Sequence, residues 1–396
     1  AEQVDQVTRA GLAASARPFR LALAYIVPAL LLAWFAGGQM ALGRIDAALA
    51  VPLLMPGALL LARLVRDDAP RVRWTAFAFA AGGLLLAQLL LHLFLGHRLG
   101  AGVVLFASVA SCLALSIAGL AVAALLRWRR LLRWPALLLI AILWYAAGQG
   151  LLGLSYAAGA ADRKPGLAIL TGLPLRWQGG GDDLAAMLAA GPSDAPALAA
   201  LEGRFAVRLV DSLADVHPDE ALLVAHPRAL APADLVRLDE RARRGGPTVI
   251  LADALSTWPP PHPLGDPRNP PVTSLLTPLL DHWGITLAAP DPGREGEAPL
   301  FTGPGGRKLL LHSAGRFTRL PDGCSAYGDG RAARCRFSSG PHMVWLVGDA
   351  DMLHDSLWRS PVAAAPWLRR SDNIVWLADV LGGREAAPLL QPVWIG

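Results

Sequence analysis

The sequence predicts an α-helical membrane domain of about five transmembrane helices followed by a doubly wound α/β domain. Two observations carry that expectation. Five long apolar stretches with almost no internal charge lie between Leu21 and Tyr156, and from Arg163 onward short apolar runs alternate with helical patterns. Hydrophobic residues make up 54% of the 396 residues, charged residues only 17%, and the mean hydropathy is +0.41, a balance uncommon in soluble domains.

A spanning helix needs about 20 apolar residues to cross the hydrocarbon layer. The stretches 21–36, 45–61, 74–95, 101–126 and 135–156 qualify. The first is short. The second contains Pro52 and Pro56, which a span tolerates where neighbours satisfy the freed carbonyls. No cleavable signal peptide is expected, because further apolar spans follow directly where a soluble domain would begin.

Arginine placement gives the topology. Arg9, Arg17 and Arg20 precede the first span, Arg63, Arg66, Arg71 and Arg73 follow the second, and Arg127, Arg129, Arg130 and Arg133 follow the fourth, whereas the alternate loops carry only Arg44 and Arg98. Short loops rich in Arg and Lys stay cytoplasmic. Residues 1–20 are therefore expected to be cytoplasmic, 21–157 membrane-embedded among lipids, and 165–396 extracytoplasmic, which in a bacterium means an inner-membrane protein with a periplasmic domain. The net charge of +5 is mostly this topology signal, and no nucleic-acid partner is expected from it. Polar residues inside the spans are few, with His92 and Asp46 the only ionisable ones, so a conduction path is not expected.

Cys112 lies within the fourth span. Cys324 and Cys335 flank a Gly-rich turn in GCSAYGDGRAARCRF. In an oxidising compartment such a pair is expected to form a disulfide. Two unpaired thiols or a metal pair are the alternatives, although no second pair of Cys or His has zinc-ligand spacing.

In the carboxyl-terminal part, 167–171, 205–210, 221–225 and 247–252 read as strands, and runs without polar alternation suit strands covered on both faces. Pro232–Arg244 reads as a helix that Gly245 and Gly246 terminate, giving a β-α-β crossover and a parallel sheet. The Pro-rich loop WPPPHPLGDPRNPP follows, then a helix over 272–283, the strand KLLLH, the cysteine hairpin, the strand in MVWLVGDAD and the helix DNIVWLADVLGG. The expected order is flavodoxin-like, with the Pro-rich loop and the hairpin as decorations.

Binding crevices of open parallel sheets form beyond the carboxyl ends of the strands. Those ends carry Thr171 and Gly172, His226, Asp253, Asp349 and Asp351, with His354 and Asp355 one turn further. Thr171, His226, Asp253, Asp349 and Asp351 are thus the candidate ligand-binding residues. Carboxylates and imidazole suit a cation, but Asp residues entering a helix also cap amide groups, and no bound metal or other cofactor is expected. A nucleophile elbow would place Ser or Cys after a buried strand, yet the strand at 221–225 runs into His226 and Pro227. Ser256 in DALSTW lacks glycine framing and an evident base. With neither a catalytic nucleophile nor a phosphate loop, no enzymatic activity is expected.

ALLVAHPRALAPADLVRLDERARRGGPTVILAD with SLLTPLLDHWGI, and VGDADMLHDSLW with SDNIVWLADVLGG, resemble the GldG-type auxiliary domain of uncharacterised ABC transport systems. The matching positions are Ala225, His226 and Pro227 at the strand end, Leu235, Leu238 and Asp239 in the helix, then Gly245, Gly246 and Asp253. The resemblance covers about 166–383. It implies a fold like that of class I glutamine amidotransferases without the nucleophile, acting as extracytoplasmic partner of an ABC permease and ATPase. The five preceding spans depart from that family, whose members have few. Two other functions remain: glycan or small-ligand binding at the crevice, with Trp177 and Trp258 either stacking faces or simply packed, and a hydrolase, which the missing nucleophile disfavours.

Overall fold

The computed structural model describes residues 2–125, 130–156, 164–176, 194–263, 265–293, 295–302, 306–338, 343–383 and 390–395, with side chains from Ala16 onward except at 130, 131 and 302. Trp177, Arg127 and Arg129, and the side chains of Arg9 and Arg130, lie outside the described residues. The chain divides into two compact units, one comprising Ala1–Ala157, Ala365–Leu368 and Ala387–Gly396, the other Ala158–Ala364 and Arg369–Ala386.

The helical unit contains α1 (Glu2–Phe35), the short α2 (Gln39–Leu42), the two-residue strand β1 (Arg44–Ile45), a 3-10 turn (Ala47–Leu53) continuing into α3 (Leu54–Leu64), then α4 (Pro70–Gly96), α5 (Ala101–Leu125) and α6 (Arg130–Tyr156). Among the described residues, five segments are long and apolar enough to cross a membrane. The second is the proline-bearing one, and it is a composite. Asp46 Oδ1 accepts from Ala48 N at 3.1 Å to start the 3-10 turn, and Pro52, which has no N–H, sits near its junction with α3. This span is also the most enclosed, with 67% of its apolar window buried against 11% for α6. Small residues explain that position: Ala47, Ala48, Ala50, Gly57 and Ala58 let neighbouring backbones approach closely. A Cβ at Gly57 would lie 3.2 Å from the Tyr25 ring, and one at Gly148 of α6 would lie 2.9 Å from the Pro52 Cα. Trp144 Nε1 donates to Val51 O at 2.7 Å, and Tyr25 and Ser111 hydroxyls meet at 2.6 Å. Outside, Leu86, Phe94, Leu105, Leu120 and Leu138 are exposed, a distribution suited to lipid and not to water.

Two segments distant in sequence complete this unit. The strand Val393–Trp394 pairs antiparallel with β1, and Ile395 N donates to Gly43 O at 3.0 Å. Arg44, fully buried, donates to Trp367 O at 2.9 Å and stacks 5.6 Å from the Trp394 ring. Asp46, also buried, lies 3.9 Å from Arg44 and accepts from the Tyr156 hydroxyl at 2.6 Å. Residues 365–368 and 390–395 thus pack with the helices.

The α/β unit is built on β2 (Gly166–Thr171), β3 (Ala206–Leu209), β4 (Ala221–Ala225), β5 (Thr248–Leu251), β6 (Thr286–Ala288), β7 (Glu297–Thr302), β8 (Arg307–His312), β9 (Arg316–Arg319), β10 (Cys324–Tyr327), β11 (Ala332–Cys335) and β12 (Val344–Val347). Among the described residues its main sheet has seven strands in the order β10-β11-β12-β5-β4-β2-β3. The five from β12 to β3 are mutually parallel, and β10 and β11 extend that edge antiparallel. Successive residues of a strand point to opposite faces. Leu167, Ile169, Leu223, Val249 and Val347 accordingly join one core with the helices Pro196–Glu202 and Asn373–Leu381, while Ala168, Leu170, Leu222, Ile250 and Leu346 join another with Pro232–Arg244 and Thr277–His282. Burial on both faces is why these strands read as unbroken apolar runs.

The helix expected over 272–283 forms only at Thr277–His282. Pro278 occupies its first turn, the place where a missing N–H costs nothing. Cys324 and Cys335 stand directly opposite in the β10–β11 ladder and are joined by a disulfide. Small antiparallel pairs, β6 with β9 and β7 with β8, flank the main sheet.

A buried carboxylate cluster at the strand ends

β2 and β4 end side by side. Thr171 Oγ1 donates to Ala225 O at 2.8 Å and accepts from Leu173 N at 2.9 Å, so its hydroxyl braces the turn out of β2. His226 follows β4 with φ +45°, in the left-handed region, and is fully buried. Its backbone leaves no room opposite: Gly172 N donates to His226 O at 3.1 Å, and a Cβ at Gly172 would come within 2.8 Å of that oxygen. The His226 Nε2–H donates to Pro271 O at 2.6 Å, which leaves Nδ1 as the lone-pair nitrogen. That atom is buried without a hydrogen-bond partner among the described residues. Burial depresses the imidazole pKa, partly offset by the Pro271 carbonyl and the Asp351 charge, so the ring stays neutral at physiological pH.

Asp253 after β5, and Asp349 and Asp351 after β12, each place one carboxylate oxygen within 4.8 Å of the other two, and all three are buried. Their donors come from neighbouring loops. Asp253 accepts from Leu255 N at 3.0 Å and Ala350 N at 3.1 Å. Asp349 Oδ2 accepts from His312 N at 2.7 Å. Asp351 accepts from Ser256 Oγ at 3.0 Å and from both Thr257 N and Thr257 Oγ1 at 2.6 Å. Asp349 Oδ1 is the one oxygen of the three carboxyls without a hydrogen bond among the described residues. Burial, reinforced by the like charge of Asp351, lifts Asp253 to about 7. Burial followed by the charges of Asp253 and Asp351 holds Asp349 well above the usual carboxylate range. Like charges this close in a low dielectric are disfavoured together, so the cluster retains a proton at neutral pH.

The cluster opens on one side to a cleft of about 330 Å³, to which Asp351, Thr257, His312, Glu297 and His354 contribute. The His312 Nδ1–H donates to Thr257 Oγ1 at 2.9 Å, because that hydroxyl gives its own proton to Asp351. Trp258 is only 8% exposed and packs edge-on against His354 at 5.3 Å, so it is a packed ring. His354 caps the short helix Asp355–Trp358, its side chain accepting from Ser356 N, and Asp355 pairs with Arg359 at 3.7 Å. These two belong to local helix structure.

Of the candidate residues, Asp253, Asp349 and Asp351 come together. Thr171 and His226 bond to backbone around the β2 and β4 ends. The three carboxylates offer a hard donor set for a divalent cation, but five of their six oxygens already accept from the protein's own loops. Reading only the parallel strand ends missed Thr257, Glu297 and His312. Glu297 opens β7 and His312 ends β8, strands of a two-stranded side sheet whose apposition to the cluster no local pattern announces.

Comparison with known proteins yields no matching family model, no matching curated protein and no matching solved structure.

Proposed function

We propose that this chain is a non-catalytic, membrane-anchored accessory subunit of a membrane complex, most in keeping with an ABC-type transport system, whose α/β unit binds a partner or substrate outside the cytoplasm. The observation that carries the reading is how the strand-end groups are engaged. Thr171, Asp253 and Asp351 direct their polar atoms to the protein's own loops, and at the position where an amidotransferase-like sheet would present its nucleophile stands His226, its Nε2 turned to Pro271 O. Among the parallel strands alone the order is second, first, third, fourth, fifth, the flavodoxin-like order, which supports a relation to amidotransferase-like folds. The GldG-type segments and the arginine-rich loops support an inner-membrane protein with a cytoplasmic amino terminus and a periplasmic α/β unit. The chain has no ATP-binding motif, so transport requires a separate ATPase.

Affinity purification of the full-length protein in mild detergent tests this reading: a permease and an ATPase should accompany it, and recovery of the chain alone across a salt series would count against it. A reporter fused after Gly396 should be active only in its exported form, and cytoplasmic activity there would overturn the five-span topology. The polar cleft beside Asp351 favours a second reading, small-ligand or glycan binding. Equilibrium binding of a glycan panel to the full-length protein, abolished by His312→Ala, would select it.

A further inference from the structure

Helix α6 is the least enclosed of the spans, with 11% of its apolar window buried, and Leu138, Leu143 and Leu154 on its outside suit lipid. Tyr145 and Gln149 do not. Tyr145 is 47% exposed and Gln149 partly buried, and four residues apart on a helix they share a face. At a rise of about 1.5 Å per residue, Tyr145 lies about 20 Å from Leu132 and about 16 Å from Tyr156, the two ends of the apolar span. That is mid-hydrocarbon, away from the interfaces where Tyr is enriched. Side chains of a helix lean toward its amino terminus, so Tyr145 leans toward the farther end and Gln149 toward the level of Tyr145.

On α5 the hydroxyls are answered within their own helix: Ser108 Oγ donates to Val104 O and Ser116 Oγ to Cys112 O, each at 2.8 Å. Tyr145 and Gln149 have no hydrogen bond among the described residues. Bonded to each other they would still leave amide N–H groups bare, because Gln carries two donors and Tyr one hydroxyl. Hydrocarbon offers no partner, and an unanswered polar group there is costly. The same face admits a second helix at close range. Ala146 and Gly150 adjoin the pair at the same four-residue spacing and are exposed, and a Cβ at Gly150 would meet nothing within 4 Å. A Cβ at Gly153 would lie 3.4 Å from the Trp367 ring, so the open patch ends there. Spans pair through small residues that let backbones approach and through polar side chains that bond across the gap.

We propose that this patch of α6 pairs with the same patch of a second copy of the chain. The chemistry of the patch selects that occupant. Tyr145 supplies a donor and Gln149 an acceptor, so two copies related by a two-fold axis along the membrane normal satisfy each other twice: each Tyr145 hydroxyl donates to Gln149 of the partner subunit. A patch of donors alone or acceptors alone would need a foreign helix. Both copies insert with one orientation, so the paired helices run parallel and Ala146 and Gly150 mark their crossing. The inference depends on α6 lying in a bilayer and is independent of the accessory-subunit reading.

The test follows energy transfer between full-length copies, labelled through carboxyl-terminal tags, as added phosphatidylcholine dilutes them in liposomes. Wild type should dimerise, and Tyr145→Phe/Gln149→Leu should do so about tenfold less tightly, the order expected for two shared hydrogen bonds between spans. Ser116→Ala removes a hydroxyl already answered in its own helix and should leave pairing unchanged. In native membranes treated with copper phenanthroline, Ala146→Cys in a Cys112→Ala background should form a covalent homodimer. Leu113→Cys, at an exposed position of α5, should not. Wild type that stays monomeric throughout the dilution overturns the proposal without recourse to any variant. So does Ala146→Cys that joins only a different polypeptide, which assigns the face to a foreign chain, or pairing that the double variant leaves unchanged.

Discussion

The two units of this chain bury polar groups in contrasting ways. In the helical unit, Arg44, Asp46 and Tyr156 form a compact ionic and hydrogen-bonded group at the start of the composite span, and the carboxyl-terminal strand and Trp367 supply much of its coordination. In the α/β unit, three carboxylates converge with backbone and hydroxyl donors around them, and the repulsion is relieved by protonation. A buried cation beside a buried anion is sensitive to removal of either one, whereas a buried acid cluster is sensitive to pH. Each unit is therefore expected to fail in its own way.

The largest effect is expected in the first unit. Asp46→Ala strips Arg44 of its carboxylate, the 3-10 turn of its cap and the Tyr156 hydroxyl of its acceptor, and should cost about 3 to 5 kcal/mol, the usual range for breaking a buried pair. Thermal unfolding in detergent checks it, and an unchanged midpoint would show that the group adds little.

The acid cluster gives the next effect. Folding raises the Asp253 carboxyl from its ordinary value to about 7, so the folded unit holds the extra proton between about pH 4 and 7 and loses stability as pH rises through that window. At about 1.4 kcal/mol per pKa unit, the loss should amount to a few kcal/mol. Asp253→Asn mimics the protonated acid and should flatten the slope, which denaturant titrations of the full-length protein at pH 5 and pH 8 would reveal. A slope of opposite sign would mean that the cluster is ionised in the fold and compensated by a cation.

Reduction of the Cys324–Cys335 bridge, which spans 11 residues, should lower stability by about 2 to 3 kcal/mol on the chain-entropy account. The melting midpoint should therefore fall on adding a thiol reductant, and the helical unit's spectroscopic signature should not move. Quantitative labelling of both thiols in denatured, non-reduced protein would remove the bridge from the argument.

The smallest effect is expected from His226→Ala. If the strand-end group serves no transition state, assembly and the cellular function that deletion abolishes should survive the change, whereas loss of a general acid or base typically costs roughly 100-fold or more in rate. Loss of that function in folded, assembling protein would return the site to catalysis or ligand sensing.

Much of this architecture was legible before any coordinate. Burial in lipid and burial on both faces of a sheet each leave a local signature, so the spans, the runs at 167–171 and 221–225, and the helix Pro232–Arg244 could be located from residue order alone. Helix 272–283 was overextended because its apolar residues suggest a longer element than Pro278 permits. The strand ends named five residues, of which Asp253, Asp349 and Asp351 meet because β5 and β12 are neighbouring parallel strands that end at one edge.

What the amino-acid order determined by itself is what periodicity and turn chemistry set within a window of a dozen or so residues. Tertiary structure alone decided that the proline-bearing span is the most enclosed, that Trp367 and Val393–Trp394 pack with the helices, and that His312 and Thr257 stand beside the carboxylates. These depend on groups meeting across 37 residues of chain for His312 and Asp349 and 323 for Arg44 and Trp367, and the free energy of such meetings comes from packing and desolvation, which leave no trace in the local pattern of either partner.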